Sequence, residues 1–231
     1  MNKPPPTDLH LHSQFSPCAE NVTVEEDVKV ALNKGLQVIA ITDHGTTKQP
    51  NWFKNYMKEV QRVRDHYGSY GIIVLTGMEV DMLEDGSLAV SDEILKKLDI
   101  VVAALHRLRE YTPEKWRRIL VKALYSNYVK VLAHPTDIGW RKLKIPKEYV
   151  LEVLDVVKEQ GILVEVNYHH KDPLKYFLKL CIKRGVSLTP TSDAHNLGEI
   201  GHLDWHLKYI ASLDLENVKW FTIREILNSI C

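Results

Sequence analysis

The sequence predicts an α/β protein in which strands and helices alternate and close into a barrel. Seven short runs rich in Val, Ile and Leu alternate with amphipathic segments that carry helix start and stop signals. Nearly continuous apolar strands of this kind are typical of a parallel sheet covered by helices. No linker or change of composition divides the chain, so residues 1–231 are expected to form a single domain. A doubly wound open sheet is the alternative, and periodicity alone does not exclude it.

The first predicted strand, TDLHLHS (7–13), alternates strictly between polar and apolar residues. Alternation places Asp8, His10 and His12 on one face of the strand and Leu9 and Leu11 on the other. In a barrel, the polar face is expected to point inward while both leucines pack outward against the helices. The later strands are predicted at QVIAITDH (37–44), IIVLTGMEVD (72–81), DIVVAALH (99–106), VKVLAHP (129–135), ILVEVNYHH (162–170) and VSLTPTSDAH (186–195).

Capping and turn residues place the helices between these strands. The capping box Thr23-Val24-Glu25-Glu26 predicts a helix that ends near Gly35. Pro50 suits the first turn of a helix that runs to about Tyr67. LEDGSLAV (83–90) is expected to form a small hairpin. Further helices are predicted from about Ser91, from Thr112-Pro113, near 147–159, near 173–184 and after the capping signal TIRE (222–225).

The composition argues against several classes of protein. Thirty Lys and Arg residues balance 30 Asp and Glu residues, and a formal net charge of +0 argues against a strongly basic nucleic-acid surface. No apolar run approaches the length of a membrane span. The scattered Cys18, Cys181 and Cys231 form no disulfide framework and fit a reducing compartment. We therefore expect a cytoplasmic protein without a membrane partner, and the sequence leaves its oligomeric state open.

Every predicted strand ends in histidine or carboxylate residues. The carboxyl ends of parallel strands face one crevice in α/β folds, so these side chains are expected to converge. If the sheet closes, the first and last strands are neighbours, and the pairs His10/His12 and Asp193/His195 meet. The residues at the strand ends are His10, His12, Asp43, His44, Glu79, Asp81, His106, His134, Glu165, His169, His170, Asp193 and His195.

This set of side chains predicts a site for several metal ions. Imidazole and carboxylate ligands without a dominant thiolate suit Zn²⁺, Mn²⁺ or Fe²⁺ better than Ca²⁺ or a structural zinc. The ligands outnumber those that one tetrahedral ion needs, so two or more ions are expected. Such sites polarise phosphoryl oxygens and generate hydroxide near neutral pH, which predicts phosphoester hydrolysis. The sequence contains no nucleophile elbow or P-loop motif that would indicate another mechanism.

The order of the strand-end motifs resembles that of the PHP (polymerase and histidinol phosphatase) family. The motifs are DLHLHS, ITDHG, GMEVD, ALH, LAHP, EVN and TSDAH, and they extend from Asp8 to about His195. Residues 77–106 are especially similar to the PHP domain of X-family polymerases and its stand-alone relatives. The resemblance implies a distorted seven-stranded (β/α)7 barrel, TIM-barrel-like, with three divalent ions (Zn, Mn or Fe).

The resemblance also implies which residues bind each ion. The first ion would be bound by His10, His12, Glu79 and Asp193, the second by Glu79, His106 and His134, and the third by His44 and His195. The family often has a further histidine ligand six residues after His12, where this chain has Cys18. Cys18 is either a metal-bound thiolate or a small buried cysteine beside a weakly held or absent third ion.

Other polar residues near the strand ends are candidates for supporting roles. Asp8 and Asp43 are expected to accept hydrogen bonds from ligand imidazoles, and Glu165 and Asn167 to support the site. Arg107 and His170 are the strongest candidates to bind the substrate phosphate, with Asp193 and His195 as catalytic residues at the metals. Weaker candidates are Arg109, Lys48, Arg141, His169 and Lys171 for phosphate; Trp52, Trp140 and Tyr168 for nucleic-acid stacking; and His202 and His206 on a helix face near the rim.

These residues predict a metal-dependent phosphoesterase acting on a small phosphomonoester of the histidinol phosphate or nucleotide type. A 3′–5′ exonuclease, or a related nuclease acting on nucleic-acid ends, is the first alternative. The second alternative is a non-catalytic, metal-stabilised regulatory domain, but the complete set of ligand types argues against a decayed site.

Overall fold

A computed structural model of the chain describes residues 3–138, 141–142, 144–214 and 217–230. The strands in these ranges are β1 (Thr7–Leu11), β2 (Val38–Ile41), β3 (His44–Gly45), β4 (Ile73–Asp81), β5 (Ile100–Ala104), β6 (Val129–Leu132), β7 (Asp137–Ile138), β8 (Arg141–Lys142), β9 (Leu163–Asn167) and β10 (Leu188–Thr191). The helices are α1 (Val24–Asn33), α2 (Phe53–Tyr67), α3 (Asp92–Leu95), α4 (Pro113–Ala123), α5 (Lys147–Glu159), α6 (Lys175–Arg184), α7 (Leu203–Ala211) and α8 (Ile223–Ile230).

The main strands form a parallel, nearly closed barrel. Their order is β1-β2-β4-β5-β6-β9-β10, and β3 adds a short pairing to β4. A parallel bridge between Leu11 and Ala194 joins the first strand to the residues after the last. The His12 N–H donates to the Ala194 carbonyl (3.1 Å), and the Asp193 N–H donates to the His10 carbonyl (2.9 Å). The predicted barrel is therefore confirmed, and the open-sheet alternative is wrong.

Local capping interactions fix the ends of the helices as predicted. The Glu26 N–H donates to Thr23 Oγ1 (3.2 Å), and the Thr23 N–H donates to Glu26 Oε2 (2.9 Å), which completes the capping box of α1. Thr222 and Glu225 make the same reciprocal pair at α8. No helix among the described residues is both long and apolar enough to cross a bilayer.

The structure differs from the prediction at the start of α2 and at the hairpin expected at 83–90. Helix α2 begins at Phe53, because residues 50–53 form a separate turn in which the Phe53 N–H donates to the Pro50 carbonyl (3.1 Å). The hairpin expected at 83–90 is reduced to one antiparallel bridge between Met82 and Leu88 around a tight turn. In both segments, loop residues bond to one another locally and shorten the regular element.

The strand side chains form two apolar layers. Ile39 and Ile41 belong to the outer cluster, which packs against the helices, whereas Val38 and Ala40 belong to the inner cluster of the barrel. Phe221 and residues of α8 complete the inner cluster near the start of β10. The opposite, carboxyl end of the barrel is left for polar side chains, as in other β/α barrels.

Strand β1 breaks the alternation that its sequence predicts. Its register with β2 shifts between Asp8 and Leu11, which is the effect of a β-bulge. Leu11 lies in the outer cluster as expected, but Leu9 lies in the inner cluster. The prediction that both leucines pack outward is therefore wrong for Leu9. His10 and His12 nevertheless both contact the carboxylates at the open end of the barrel.

Candidate metal centre

The strand ends bring the predicted imidazoles and carboxylates into one group, which we call the strand-end cluster. Glu79 and Asp193 are each 1% exposed, and His10 and His12 are completely buried. The members nearer solvent, including His44, are only partly buried. The cluster consists of His10, His12, His44, Glu79, His106, His134, Asp193 and His195.

Glu79 lies at the middle of the cluster. Its Oε1 atom is 3.0 Å from Nε2 of both His106 and His134, and 3.6 Å from Nε2 of His10. Its Oε2 atom is 2.7 Å from Nδ1 of His44. The two carboxylate oxygens thus face different sets of imidazoles, which is the arrangement expected of a carboxylate that bridges two cations.

Asp193 is the second carboxylate of the cluster. Its Oδ1 atom is 2.9 Å from His12 Nε2 and 3.5 Å from His10 Nε2. Its Oδ2 atom accepts a hydrogen bond from Asn167 Nδ2 (3.0 Å) and lies 3.4 Å from His170 Nε2. The backbone of Asp193 is left-handed, with φ of 53°, a conformation that costs a non-glycine residue about 1–3 kcal/mol. The fold therefore holds this carboxylate in place at some cost.

The imidazole nitrogens that face away from the cluster bind fixed acceptors. His10 Nδ1–H donates to Glu165 Oε2 (3.0 Å), and His106 Nδ1–H donates to Asp81 Oδ1 (2.5 Å). The same pattern joins Nδ1 of His134 to the Asp137 carbonyl (3.2 Å), Nδ1 of His195 to the Asp193 carbonyl (2.8 Å) and Nδ1 of His12 to Ser16 Oγ (3.1 Å). In the neutral tautomer that these bonds favour, each Nε2 keeps its lone pair for a cation, as in imidazoles that bind metals.

The pKa values of the cluster show that positive charge stabilises its buried carboxylates. Burial opposes ionisation of Glu79, yet His106, His44 and His10 hold the pKa of its carboxyl well below the usual range. Burial also lowers the pKa of His44 and His106, but the Glu79 carboxylate and other nearby acceptors outweigh it and raise these values to about 11 and about 10. Divalent cations supply the charge that such buried carboxylates require.

The spacing of the donor atoms fits metal coordination. Sets of three donors, including His10–His12–Glu79 and His44–Glu79–His106, lie within 4.8 Å of one another. Two ligands of a tetrahedral zinc ion are about 3.4 Å apart, close to the 3.0–3.6 Å separations between Glu79 Oε1 and its imidazoles. The buried atoms His10 Nε2, His44 Nδ1 and Glu79 Oε2 have no well-aligned hydrogen bond among the described residues. The residues therefore fit divalent metal ions.

Cys18 lies at the edge of this cluster. It is partly exposed and lines the same 190 Å³ cavity as His44 and His195. Burial raises the pKa of its thiol, but hydrogen bonds with these two imidazoles outweigh burial and lower the pKa to about 7. Cys181 differs, because it is fully buried in the outer cluster and its pKa is raised. The surroundings of Cys18 are those of a reactive thiol rather than an apolar one.

Glu165 connects the supporting hydrogen bonds behind the cluster. Besides the bond from His10, it accepts hydrogen bonds from the His134 N–H (2.7 Å), Asn167 Nδ2 (2.7 Å) and Thr191 Oγ1 (3.0 Å). Asn167 in turn donates to Asp193. The inward, supporting positions expected for Glu165 and Asn167 agree with these contacts.

Asp8 and Asp43 do not bind the imidazoles as expected. The Asp8 carboxylate accepts hydrogen bonds from the N–H groups of Ser192 (2.8 Å) and Gly201 (3.1 Å). The Asp43 carboxylate accepts from the N–H (2.7 Å) and hydroxyl (2.6 Å) of Ser13. Both carboxylates fix loops around the cluster, because they accept hydrogen bonds from the backbone amides there.

Three of the groups that accept hydrogen bonds from the cluster imidazoles were not predicted in that role. Asp81 could have been assigned, since it lies two residues after Glu79 on β4 and alternation puts both on one face. Ser16 and the Asp137 carbonyl leave no comparable pattern, because loop geometry brings them to His12 and His134.

The candidate phosphate-binding residues occupy different cavities. His170 lines the 190 Å³ cavity above the cluster, and its Nδ1 atom lies 3.3 Å from Asp137 Oδ2. Arg107 is exposed and lines an adjoining cavity of 380 Å³ together with Arg109. Lys48 is exposed. Trp140 and the side chain of Arg141 lie outside the described residues.

The remaining rim candidates divide between the surface and the core. Tyr168 stacks on His202, with ring centroids 4.2 Å apart, and Lys171 Nζ lies 3.2 Å above the Tyr168 ring. His206 is buried, and its Nε2 atom contacts backbone carbonyls of β9 (2.7 Å) and β10 (3.0 Å). Trp52 packs beside Phe15.

The sequence profile of the PHP domain matches residues 8–169 of this chain. The chain belongs to the PHP domain family. The resemblance seen in the ordered motifs is thus confirmed. This PHP chain is 30% identical over 224 residues to a probable phosphatase of Clostridium novyi. The aligned region covers 90% of this chain and 86% of that protein.

Two further proteins resemble the PHP chain in different ways. It is 29% identical over 205 residues to the DNA polymerase/3′-5′ exonuclease PolX of Bacillus subtilis, covering 82% of this chain but 34% of that protein. The solved structure of histidinol phosphate phosphatase from Lactococcus lactis, complexed with zinc, L-histidinol and phosphate, superimposes with a TM-score of 0.64. Identity to it is 17%, with 92% of this chain and 95% of that chain covered, so the likeness supports the barrel fold alone.

Proposed function

We propose that this chain hydrolyses small phosphomonoesters at three divalent metal ions held by the strand-end cluster. Its family and its phosphatase relatives make it a hydrolase of phosphate esters. The number of ions and the size of the substrate are the additional proposal. Its main support is Glu79, whose two oxygens face separate sets of imidazoles.

The proposed ligands are those that the resemblance to the PHP family implies, and several distances within the cluster support them. Asp193 Oδ1 lies near both His10 and His12, while His106 and His134 share Glu79 Oε1. We assign His10, His12, Glu79 and Asp193 to the first ion, Glu79, His106 and His134 to the second, and Cys18, His44 and His195 to the third. Zinc suits this set, and zinc is also present in the structure of the Lactococcus lactis phosphatase.

Bound divalent ions would neutralise phosphoryl oxygens and lower the pKa of water. The residues of the chain bind and orient the reacting groups. The 190 Å³ cavity is smaller than most sites for whole small molecules, so it suits the phosphoryl group alone. We propose that His170, which lines this cavity beside Asp193, binds a phosphoryl oxygen. Arg107, in the adjoining cavity, is proposed to bind another part of the substrate.

Substitution of the ligands tests this function. Loss of a residue that only supports a metal ligand lowers activity by about 10–100-fold. His10→Ala and Asp193→Ala remove ligands themselves, so each is expected to lower chelator-sensitive turnover by more than this. The metal-reconstituted proteins would be assayed with p-nitrophenyl phosphate, histidinol phosphate and mononucleotides, with bound metal measured in parallel. The exposed His66 provides the matched control, His66→Ala, which should retain both metal and turnover. Unchanged turnover in both ligand variants, with their circular dichroism also unchanged, contradicts the assignment.

Exonucleolytic hydrolysis is the second candidate function. It is supported by the similarity to the PolX protein and by Tyr168 and His202, whose stacked rings lie beside Lys171 near the site. Shortening of end-labelled single-stranded DNA, faster than release of phosphate from the monoesters, would favour this function. A metal-loaded protein that hydrolyses neither substrate would favour the regulatory alternative.

A further inference from the structure

The cavity above the strand-end cluster shares a wall with a larger one. The wall is the pair of His106, which lines the smaller cavity, and Asp81, which lines the larger one. Asp81 Oδ1 accepts a hydrogen bond from His106 Nδ1 (2.5 Å), while His106 Nε2 contacts Glu79 (3.0 Å). The larger cavity measures 380 Å³ and is lined by Thr46, Asp81, Met82, Leu83, Glu84, Arg107 and Arg109. We call it the arginine cavity. A substrate whose phosphoryl group fills the smaller cavity must place its other atoms outside it.

Two guanidinium groups give the arginine cavity its chemical character. Neither Arg107 nor Arg109 forms an ion pair within the described part of the chain, where the paired arginines are Arg62, Arg64, Arg117 and Arg184. Both carboxylates of the cavity already have partners. Asp81 binds His106, and Glu84 Oε1 accepts a hydrogen bond from the Arg109 N–H (2.7 Å). The arginine cavity therefore contains two guanidinium groups that form no ion pair with Asp81 or Glu84.

A second neighbouring cavity has a different lining. It measures 490 Å³ and is lined by His44, Thr46, Thr47, Gln49, Pro50, Asn51 and Trp52. Its described lining contains no lysine or arginine, and its imidazole, His44, already contacts the Glu79 carboxylate (2.7 Å), so it offers little to a further negatively charged group. An anionic part of a substrate is therefore expected to enter the arginine cavity. Guanidinium groups bind carboxylates and phosphates alike through paired hydrogen bonds.

We propose that Arg107 and Arg109 bind a second anionic group of the substrate, a carboxylate or a second phosphate, beside the phosphate that is hydrolysed. This inference rests on the proposed function and narrows its substrate class to phosphomonoesters with two anionic groups. Arg107 and Arg109 would set specificity, while the strand-end cluster carries out the reaction.

Matched substrates test the proposal. 3-Phosphoglycerate and glycerol 3-phosphate have the same carbon skeleton but differ in a carboxylate, and propane-1,3-diol bisphosphate and monophosphate differ in a second phosphate. The metal-loaded protein is expected to prefer the doubly anionic member of at least one pair by about tenfold or more in kcat/KM. The pair that shows the preference distinguishes carboxylate from phosphate. Equal kcat/KM within both pairs overturns the proposal.

Substitutions assign the preference to the two arginines. Arg107→Gln and Arg109→Gln should each reduce the kcat/KM ratio toward one, and the double variant should abolish it. Arg184 forms an exposed ion pair with Asp155 at the end of α6, so Arg184→Gln is the matched control and should keep the full ratio. A ratio that survives the double variant also overturns the proposal.

A binding measurement separates this proposal from the proposed function. Calorimetric titration of the metal-loaded protein would compare 3-phosphonopropionate with propylphosphonate, neither of which is hydrolysed. Tighter binding of 3-phosphonopropionate, lost in the double variant, supports the arginine cavity even if no ester is turned over. Equal affinity in the unsubstituted protein refutes a carboxylate site, and methylenebisphosphonate homologues of matched length provide the corresponding phosphate test.

Discussion

Cys18 introduces a sulfur atom among the imidazoles and carboxylates of the strand-end cluster. It lines one cavity with His195 and His44, which lower the pKa of its thiol to about 7 and make thiolate available near neutral pH. Thiolates are softer ligands than imidazoles or carboxylates and favour zinc and cobalt over manganese. The third ion should therefore be the most thiophilic of the three.

Cobalt substitution tests the role of Cys18. The Co²⁺-loaded protein is expected to show a near-ultraviolet absorption band from thiolate-to-cobalt charge transfer, and Cys18→Ser should abolish it. Affinity for the third zinc ion should fall by about tenfold or more, since even supporting residues have effects of this size. Cys181→Ala removes the other described thiol and should keep the band. An unchanged band and stoichiometry in Cys18→Ser means that Cys18 is not a ligand.

Single positions differed in how well the sequence predicted them. His10, His12, Asp193 and His195 were predictable because they occur as alternate residues at the ends of apolar strands. The inward position of Leu9 was not predictable, because a bulge leaves no mark on the polar–apolar pattern.

Helix α1 carries a buried carboxylate that no described residue satisfies. Asp27 is 1% exposed, and neither of its carboxylate oxygens has a hydrogen-bond partner among the described residues. Burial, together with the charges of Asp43 and Asp8, raises its pKa well above the ordinary value of 3.8. The folded state therefore binds this proton more tightly than the unfolded state does. The resulting stabilisation is complete below the unfolded pKa and is lost as pH rises through the folded pKa.

Asp27→Asn should remove this dependence on pH. At neutral pH the variant is expected to be more stable than the unsubstituted protein by about 1–3 kcal/mol, because the amide is neutral without taking up a proton on folding. Urea unfolding at pH 4 and pH 8 would show the advantage growing as pH rises. The exposed Asp65 in α2 supplies the control, since Asp65→Asn should change stability little at either pH. An advantage that is constant between the two pH values contradicts this account.

At the scale of elements, apolar runs and capping residues located the helices and strands well. The start of α1 follows directly from its capping box, because both partners lie within one turn. The start of α2 was misplaced, because a proline suits both a turn and the first turn of a helix. Periodicity records which face is buried, whereas boundaries depend on local hydrogen bonds.

The barrel as a whole gathers ligands from strands that are far apart in sequence. Metal ions that bind only the folded chain should therefore stabilise it, by about 2.7 kcal/mol when free metal is 100 times the dissociation constant. For a chain of this size that unfolds in one step, that shift corresponds to about 5–10 °C in Tm. Scanning calorimetry with added zinc or manganese, and again with chelator, measures this difference. Asp193→Asn should show a smaller shift, and equal Tm values with metal and chelator contradict a metal-bound cluster.

The choice between barrel and open sheet was the part of the fold that sequence periodicity could not decide. Both architectures repeat strands and helices in the same rhythm and bury the same runs. The pairing of Leu11 with Ala194 decides it, and this contact joins segments that are far apart in the sequence. The ligand types at the strand ends, which require a common site, and the resemblance to the PHP family favoured closure before the structure was known.

That pairing also determines when the metal centre can form during synthesis. His10 and His12 leave the ribosome well before Asp193 and His195, which emerge only after β10 has been made. Until then the edge of β1 has no strand on its open side, and the first ion lacks one of its proposed carboxylates. Loading of that ion would therefore report that the barrel has closed, which makes metal content a measure of completed folding.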